Sequence, residues 1–168
     1  EIADRRALFN RHGGGGTIAL LPERFDLRAG VVLEGTLTLL DTSEGELTHR
    51  IPVSAGFYFE ESPGRGKTLL FETAGITRID RADFSQGTLA FVREDTTGPG
   101  CATVAGAAEG RAHAFRLFLR LDMFELYLDD RLVQTFFISP RPSGRMGFAV
   151  EDGACVFAGV RGWRMTPL

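Results

Sequence analysis

Between Phe115 and Met165 the chain reads FRLFLRLDMFELYLDDRLVQTFFISPRPSGRMGFAVEDGACVFAGVRGWRM, and its alternation leaves few folds open. Apolar residues recur at every second position, the period at which a strand sends side chains to one face. With Asp122-Met123 as a two-residue turn, Leu121 pairs with Phe124, Leu119 with Leu126 and Leu117 with Leu128. The opposite face then pairs Arg120 with Glu125, Phe118 with Tyr127 and Arg116 with Asp129. One register gives an aliphatic face, two opposite-charge pairs and an aromatic pair, the neighbours that stabilise antiparallel strands.

The same rhythm extends through most of the chain. Strands are expected at 17–21, 30–41, 49–60, 68–72, 77–80, 88–93, 114–122, 124–129, 132–138, 145–150 and 155–164. Val32, Glu34, Thr36 and Thr38 fall on one side of the second of these, with Val31, Leu33, Leu37 and Leu39 on the other. Turn signals such as Thr42-Ser43-Glu44-Gly45 and Pro63-Gly64-Arg65-Gly66 separate the segments. The stretch 95–110 is small and turn-rich and reads as a surface loop. The first dozen residues read as a short helix or a tail, joined by Gly13–Gly16 to the strand at 17–21. About ten or eleven strands in an antiparallel two-sheet sandwich, a concanavalin A-like jelly roll, is the architecture this predicts. Residues 1–16 are expected to be tail and linker, and 17–168 a single all-β domain.

Composition agrees. The chain carries 21 Gly and 14 Phe against one Trp, the glycine punctuation and bulky apolar content that many short strands require. Its net charge of −3, with no basic cluster, argues against a nucleic-acid partner. Its apolar runs fall well short of the roughly 18 residues that cross a bilayer, so no membrane partner is expected. No signal peptide is visible and the chain starts at Glu1; it is expected to be a processed or excised piece of a longer protein. An extracellular or periplasmic location is expected if that protein degrades polysaccharide.

Chemical motifs are scarce. The GRGKT of 64–68 lacks the first glycine of a phosphate loop, where Glu61 stands, and leads into a strand rather than a helix. His12-Gly13-Gly14-Gly15 resembles an oxyanion loop, but no GxSxG elbow accompanies it. His12, His49 and His113 are scattered, and Cys101 and Cys155 have no ligand spacing, so no metal or other cofactor is expected. The two cysteines read as small core residues, with a disulfide as the alternative.

Two constellations remain. Glu125 with Asp129 or Asp130 is the carboxylate set a glycosidase would need, but arginine partners would lower both pKa values, the wrong direction for a general acid. Exposed rings with polar neighbours form the platform on which sugar faces stack. Tyr58, Phe118 and Tyr127, flanked by Arg120, Glu125 and Gln134, are the candidates for that role. Trp163 reads instead as a core or sheet-closing residue.

The series Glu125-Leu126-Tyr127-Leu128-Asp129-Asp130-Arg131, a later G-R-x-G turn at Gly144–Gly147, and the closing Val160 to Met165 carry a resemblance. They resemble the C-terminal β-sandwich of family 32 glycoside hydrolases, the invertase, levanase and inulinase group, over residues 115–165. Arg120 stands where family members carry Asp. The propeller motifs that hold the family's catalytic residues, about WMNDPNG, RDP and EC, do not occur in this chain. The resemblance therefore implies a non-catalytic sandwich whose partners are a carbohydrate or a neighbouring catalytic domain; the alternatives are a stand-alone glycosidase using Glu125 with Asp129 or Asp130, and a structural or protein-interaction domain with no sugar role.

Overall fold

A computed structural model describes residues 6–10, 16–40, 53–73, 77–83, 90–93, 101–102 and 107–165. Among these there are twelve strands and no helix: β1 (Arg6–Asn10), β2 (Thr17–Arg24), β3 (Val31–Leu40), β4 (Ser54–Ser62), β5 (Arg65–Glu72), β6 (Thr77–Asp83), β7 (Ala90–Arg93), β8 (Cys101–Ala102), β9 (Ala112–Arg120), β10 (Met123–Leu128), β11 (Arg131–Phe137) and β12 (Arg145–Arg164). All pairings are antiparallel. The first sheet runs β11-β10-β9-β3-β12, with β1 on the far side of β12; the second runs β12-β4-β5-β6-β7, with β2 beside β12 and β8 beside β6.

The two sheets share β12. Its first part, Arg145 to Asp152, pairs with β2 and β4, and its second part, Ala154 to Arg164, pairs with β3. The corner between them is Gly153, in the left-handed region at φ 79°. The sequence reads two strands here with a turn between; the structure has one continuous strand of 20 residues. A bulge at Val150/Asp152 and the left-handed glycine bend it from layer to layer without breaking its pairing.

Three other expectations change. Arg6–Asn10 is a strand paired to β12, not a helix or tail. Within the expected surface loop, Cys101–Ala102 pairs with β6. The first hairpin turns at Leu121-Asp122, so Phe124 lies opposite Leu119, Leu126 opposite Leu117, and Tyr127 opposite Arg116. The turn is pinned from outside the hairpin: the Leu121 N–H donates to the Leu27 carbonyl at 2.7 Å, and the Ile138 N–H to that of Asp122 at 2.7 Å. This displaces each partner by two positions. Because the side-chain period is two, the buried and outer faces stay as the sequence assigns them while the partners change. The expected Arg120–Glu125 and Arg116–Asp129 pairs accordingly do not form. The expected turn at 42–45 and the start of the 49–60 strand lie outside the described residues.

The core sits between the layers and is built on phenylalanine. Phe148 and Phe157 stack at 3.9 Å, and Phe57 meets Phe115 and Phe157 edge-on at 5.0 and 5.9 Å. Leu33, Leu37, Leu117, Leu119, Leu126 and Leu69 complete the apolar interior. The Cys155 thiol is buried there and free, so the disulfide alternative does not hold. Burial pushes it up to about 12, against the Thr38 backbone hydrogen bond.

Candidate functional site

With the inner face of the first sheet committed to the core, its outer face carries the remaining chemistry. Register places residues there in rows that run across the strands. One row is Arg161 (β12), Glu34 (β3), Arg116 (β9), Tyr127 (β10) and Leu132 (β11). The next row is Ala158, Thr36 and Ala114. A line of long side chains therefore stands beside a line of short ones, and a cleft opens over Thr36 and Ala114 of the short line. Its volume is about 280 Å³, and Glu34, Thr36, Arg116, Tyr127, Asp130 and Arg161 line it with the floor residues Ala114 and Gly159.

Each wall has a local cause. The β10–β11 hairpin closes on Asp129-Asp130, both left-handed at φ 49° and 62°, the pair of positive φ values that a two-residue hairpin turn matching the strand twist requires. Asp tolerates this region better than most side chains. The Asp129 carboxylate fixes the turn: it accepts the Ala114 N–H at 3.0 Å and lies 2.7 Å from His113 Nδ1. His113 is buried, and its Nε2 accepts the Ala108 N–H at 2.9 Å, so Nδ1 carries the proton donated to Asp129. Burial alone would raise the Asp129 carboxyl; the bonds from His113 and Ala114, aided by the Arg111 guanidinium, hold it below its ordinary value. On the opposite wall, a bulge between Ala158 and Arg161 re-aims the end of β12.

The central pair is Arg116 and Glu34, joined at 2.6 Å. This hydrogen bond, and then the Glu34 charge, raise the Arg116 guanidinium above its ordinary value. The Tyr127 hydroxyl donates to Glu125 Oε2 at 3.2 Å. Desolvation first, then the Glu125 charge, raise its pKa. The Tyr127 ring meets Phe118 edge-on at 5.8 Å. Beyond it lies a second depression of about 170 Å³, lined by Phe118, Arg120, Met123, Glu125 and Met165.

Of the six residues proposed from sequence, the structure brings four together: Phe118, Arg120, Glu125 and Tyr127. Tyr58 is 1% exposed and Gln134 4% exposed, so neither offers a surface; both are corrections to the sequence reading. Tyr58 lies on the outer face of the second sheet in a separate buried cluster with Leu70, Ala82 and Ala149. Trp163, expected as a core or sheet-closing residue, is 45% exposed and not in the core; it lies on the last strand, opposite Val32. Asp130, named from sequence only in the glycosidase reading, lines the cleft. Sequence reasoning missed Glu34 and Arg161 as site residues. The signal for Glu34 was its place on the polar side of the alternation in 30–41; Arg161 had only a charge in the closing strand. Among the described residues no group of three His, Cys, Asp or Glu side chains could hold a metal ion.

Comparison of the whole chain with solved structures settles its architecture. The carbohydrate-binding module CBM66 from Bacillus subtilis superposes with a TM-score of 0.61 at 15% identity, over 95% of each chain. The fold is a jelly-roll sandwich. A β-fructofuranosidase from Aspergillus kawachii, complexed with glycerol, matches with a TM-score of 0.63 at 14% identity, over 95% of this chain and 26% of its own. The carbohydrate recognition domain of Emp46p, in a potassium-bound form, matches with a TM-score of 0.60 at 10% identity, over 97% of this chain and 89% of its own. No family model matches the sequence, and no curated protein does. At these identities the shared property is the jelly roll itself.

Proposed function

We propose that this jelly roll is a non-catalytic carbohydrate-binding module, and that the cleft over Thr36, Ala114 and Gly159 is its sugar site. The observation that carries the reading is the convergence of Arg116, Glu34, Asp130 and Tyr127 on one shallow cleft of about 280 Å³. Sugars present adjacent hydroxyls, each both donor and acceptor, beside apolar CH faces. A guanidinium paired with a carboxylate offers both hydrogen-bonding senses side by side, and an aromatic wall offers apolar contact. The cleft lies just under the roughly 300 Å³ at which small-molecule sites begin, a seat for one sugar ring.

The fold neighbours support the reading by analogy only: one is named a carbohydrate-binding module and another a carbohydrate recognition domain. The resemblance of residues 115–165 to the family 32 sandwich, together with a β-fructofuranosidase neighbour, supports a role beside a catalytic domain of that kind. Catalysis by the chain itself has weaker support. Asp129 is spent on fixing the hairpin turn and is held in its ionised form, and Glu125 accepts the Tyr127 hydroxyl.

A glycan array followed by calorimetry on the best ligand tests this. Arg116→Ala removes charge-assisted hydrogen bonds of about 1.5–3 kcal/mol, or roughly ten- to a hundredfold in affinity. Full affinity in that variant, or an array without binders, would overturn the assignment. Sucrose, levan and inulin should remain unhydrolysed by the purified chain.

A further inference from the structure

The second depression adds to this site, and the inference drawn from it rests on the reading just proposed. We infer that the jelly roll recognises an oligosaccharide rather than a single sugar, with one unit in the polar cleft and a later unit of the same ligand over Phe118 and Met123. The two depressions are linked through Tyr127. Tyr127 lines the first, touches Phe118 of the second through its ring edge, and donates its hydroxyl to Glu125 of the second. The row behind them runs Trp163 (β12), Val32 (β3), Phe118 (β9) and Glu125 (β10), one step along the strands from the Arg161–Tyr127 row. Successive rows on one face lie about 7 Å apart, so the Thr36–Ala114 row under the cleft and the Val32–Phe118 row lie two steps, about 14 Å, apart, a reach that several linked sugar units span.

The chemistry of the two seats differs. The cleft is walled by Arg116, Glu34 and Asp130, which address hydroxyl groups. The second seat is floored by the Phe118 ring and the Met123 and Met165 side chains, with Arg120 and Glu125 as its polar members. That is an apolar contact surface with a polar edge, suited to the CH face of a ring whose orientation is already set by its neighbour. Together the two volumes reach the roughly 300–1,000 Å³ of a ligand site.

The test is calorimetry on the purified chain with three matched series, β-fructan, β-glucan and β-galactan oligosaccharides of one to four units. In the series that binds, affinity should rise about tenfold from one unit to three or four. Phe118→Ala should erase that rise; Arg116→Ala should weaken every length. Equal affinity for one and four units, or a rise that survives Phe118→Ala, overturns the two-seat inference and leaves the sugar site standing. Binding that ignores Arg116→Ala, or no binding in any series, overturns the sugar site and this inference with it. Because Phe118 lies on the outer face, circular dichroism of each variant should match the parent.

Discussion

Replacing Gly153 by alanine tests how β12 serves two sheets. A Cβ at this position would lie 2.9 Å from both Val53 methyl groups and 3.1 Å from the Leu40 carbonyl oxygen, and the backbone sits at φ 79°. The left-handed conformation costs an L-residue about 1–2 kcal/mol. Forcing a methyl into a filled core adds about 1–3 kcal/mol. The expected loss is about 2–5 kcal/mol. Gly110→Ala is the control: it too is left-handed, at φ 71°, but its Cβ would meet nothing within 4 Å, so only the conformational cost of about 1–2 kcal/mol applies. Urea unfolding followed by circular dichroism, with an unchanged m value, reads both. Val53→Ala supplies the third arm, since removing the two methyls makes room for the new one. The Gly153→Ala, Val53→Ala double variant should cost about 1–2 kcal/mol less than the two single variants together. Equal losses at Gly153 and Gly110, or strict additivity with Val53→Ala, would show that crowding at the corner plays no part.

Three further outcomes are expected. Ala114→Leu should fill the cleft floor, weakening ligand binding at least tenfold in calorimetry, with unfolding free energy within about 0.5 kcal/mol of the parent because the position faces outward. Phe157→Ala should cost about 3–5 kcal/mol in urea unfolding, since Phe157 is 0% exposed and stacked on Phe148; Phe137→Ala, at 63% exposure, should cost almost nothing. Burial, with the nearby Glu60 charge, pushes the Tyr58 phenol from 10.0 up to about 12. The unfolded chain then ionises first, so stability held below pH 10 is lost as pH rises towards 12, by about 2–3 kcal/mol. Tyr58→Phe should remove that share of the alkaline loss. It should not destabilise at pH 7, because the Tyr58 hydroxyl has no hydrogen-bond partner among the described residues.

The faces of the strands were legible in the sequence because burial imposes a period of two, and that period survives an error in register. Leu117, Leu119, Leu126 and Leu128 are buried as the alternation requires. Partner identity was not legible. It depended on where the hairpin turned, and the turn is held by Leu27, remote in sequence from Leu121. The same limit hid the cleft. Arg116 and Tyr127 are neighbours within one hairpin, but Glu34 and Arg161 reach them only through the pairing of β3 with β9 and β12. Tyr58 misled for a related reason: alternation in β4 places it on an outer face, and outer faces of sandwiches are usually exposed. This one is buried. The continuity of β12 was also hidden, because Glu151-Asp152-Gly153 carries the residues of a turn while acting as a bend.

The floor of the cleft consists of Thr36, Ala114 and Gly159, residues with side chains too short to occupy it. None of the three belongs to the apolar interior that folds the chain. Substitutions there can deepen, narrow or close the seat while the packing between the sheets stays as it is. Exchanges at Ala114, which faces outward, reshape the cleft at almost no cost to folding, whereas Thr36 also donates to the Ala158 carbonyl at 3.3 Å and Gly159 holds a left-handed backbone at φ 60°.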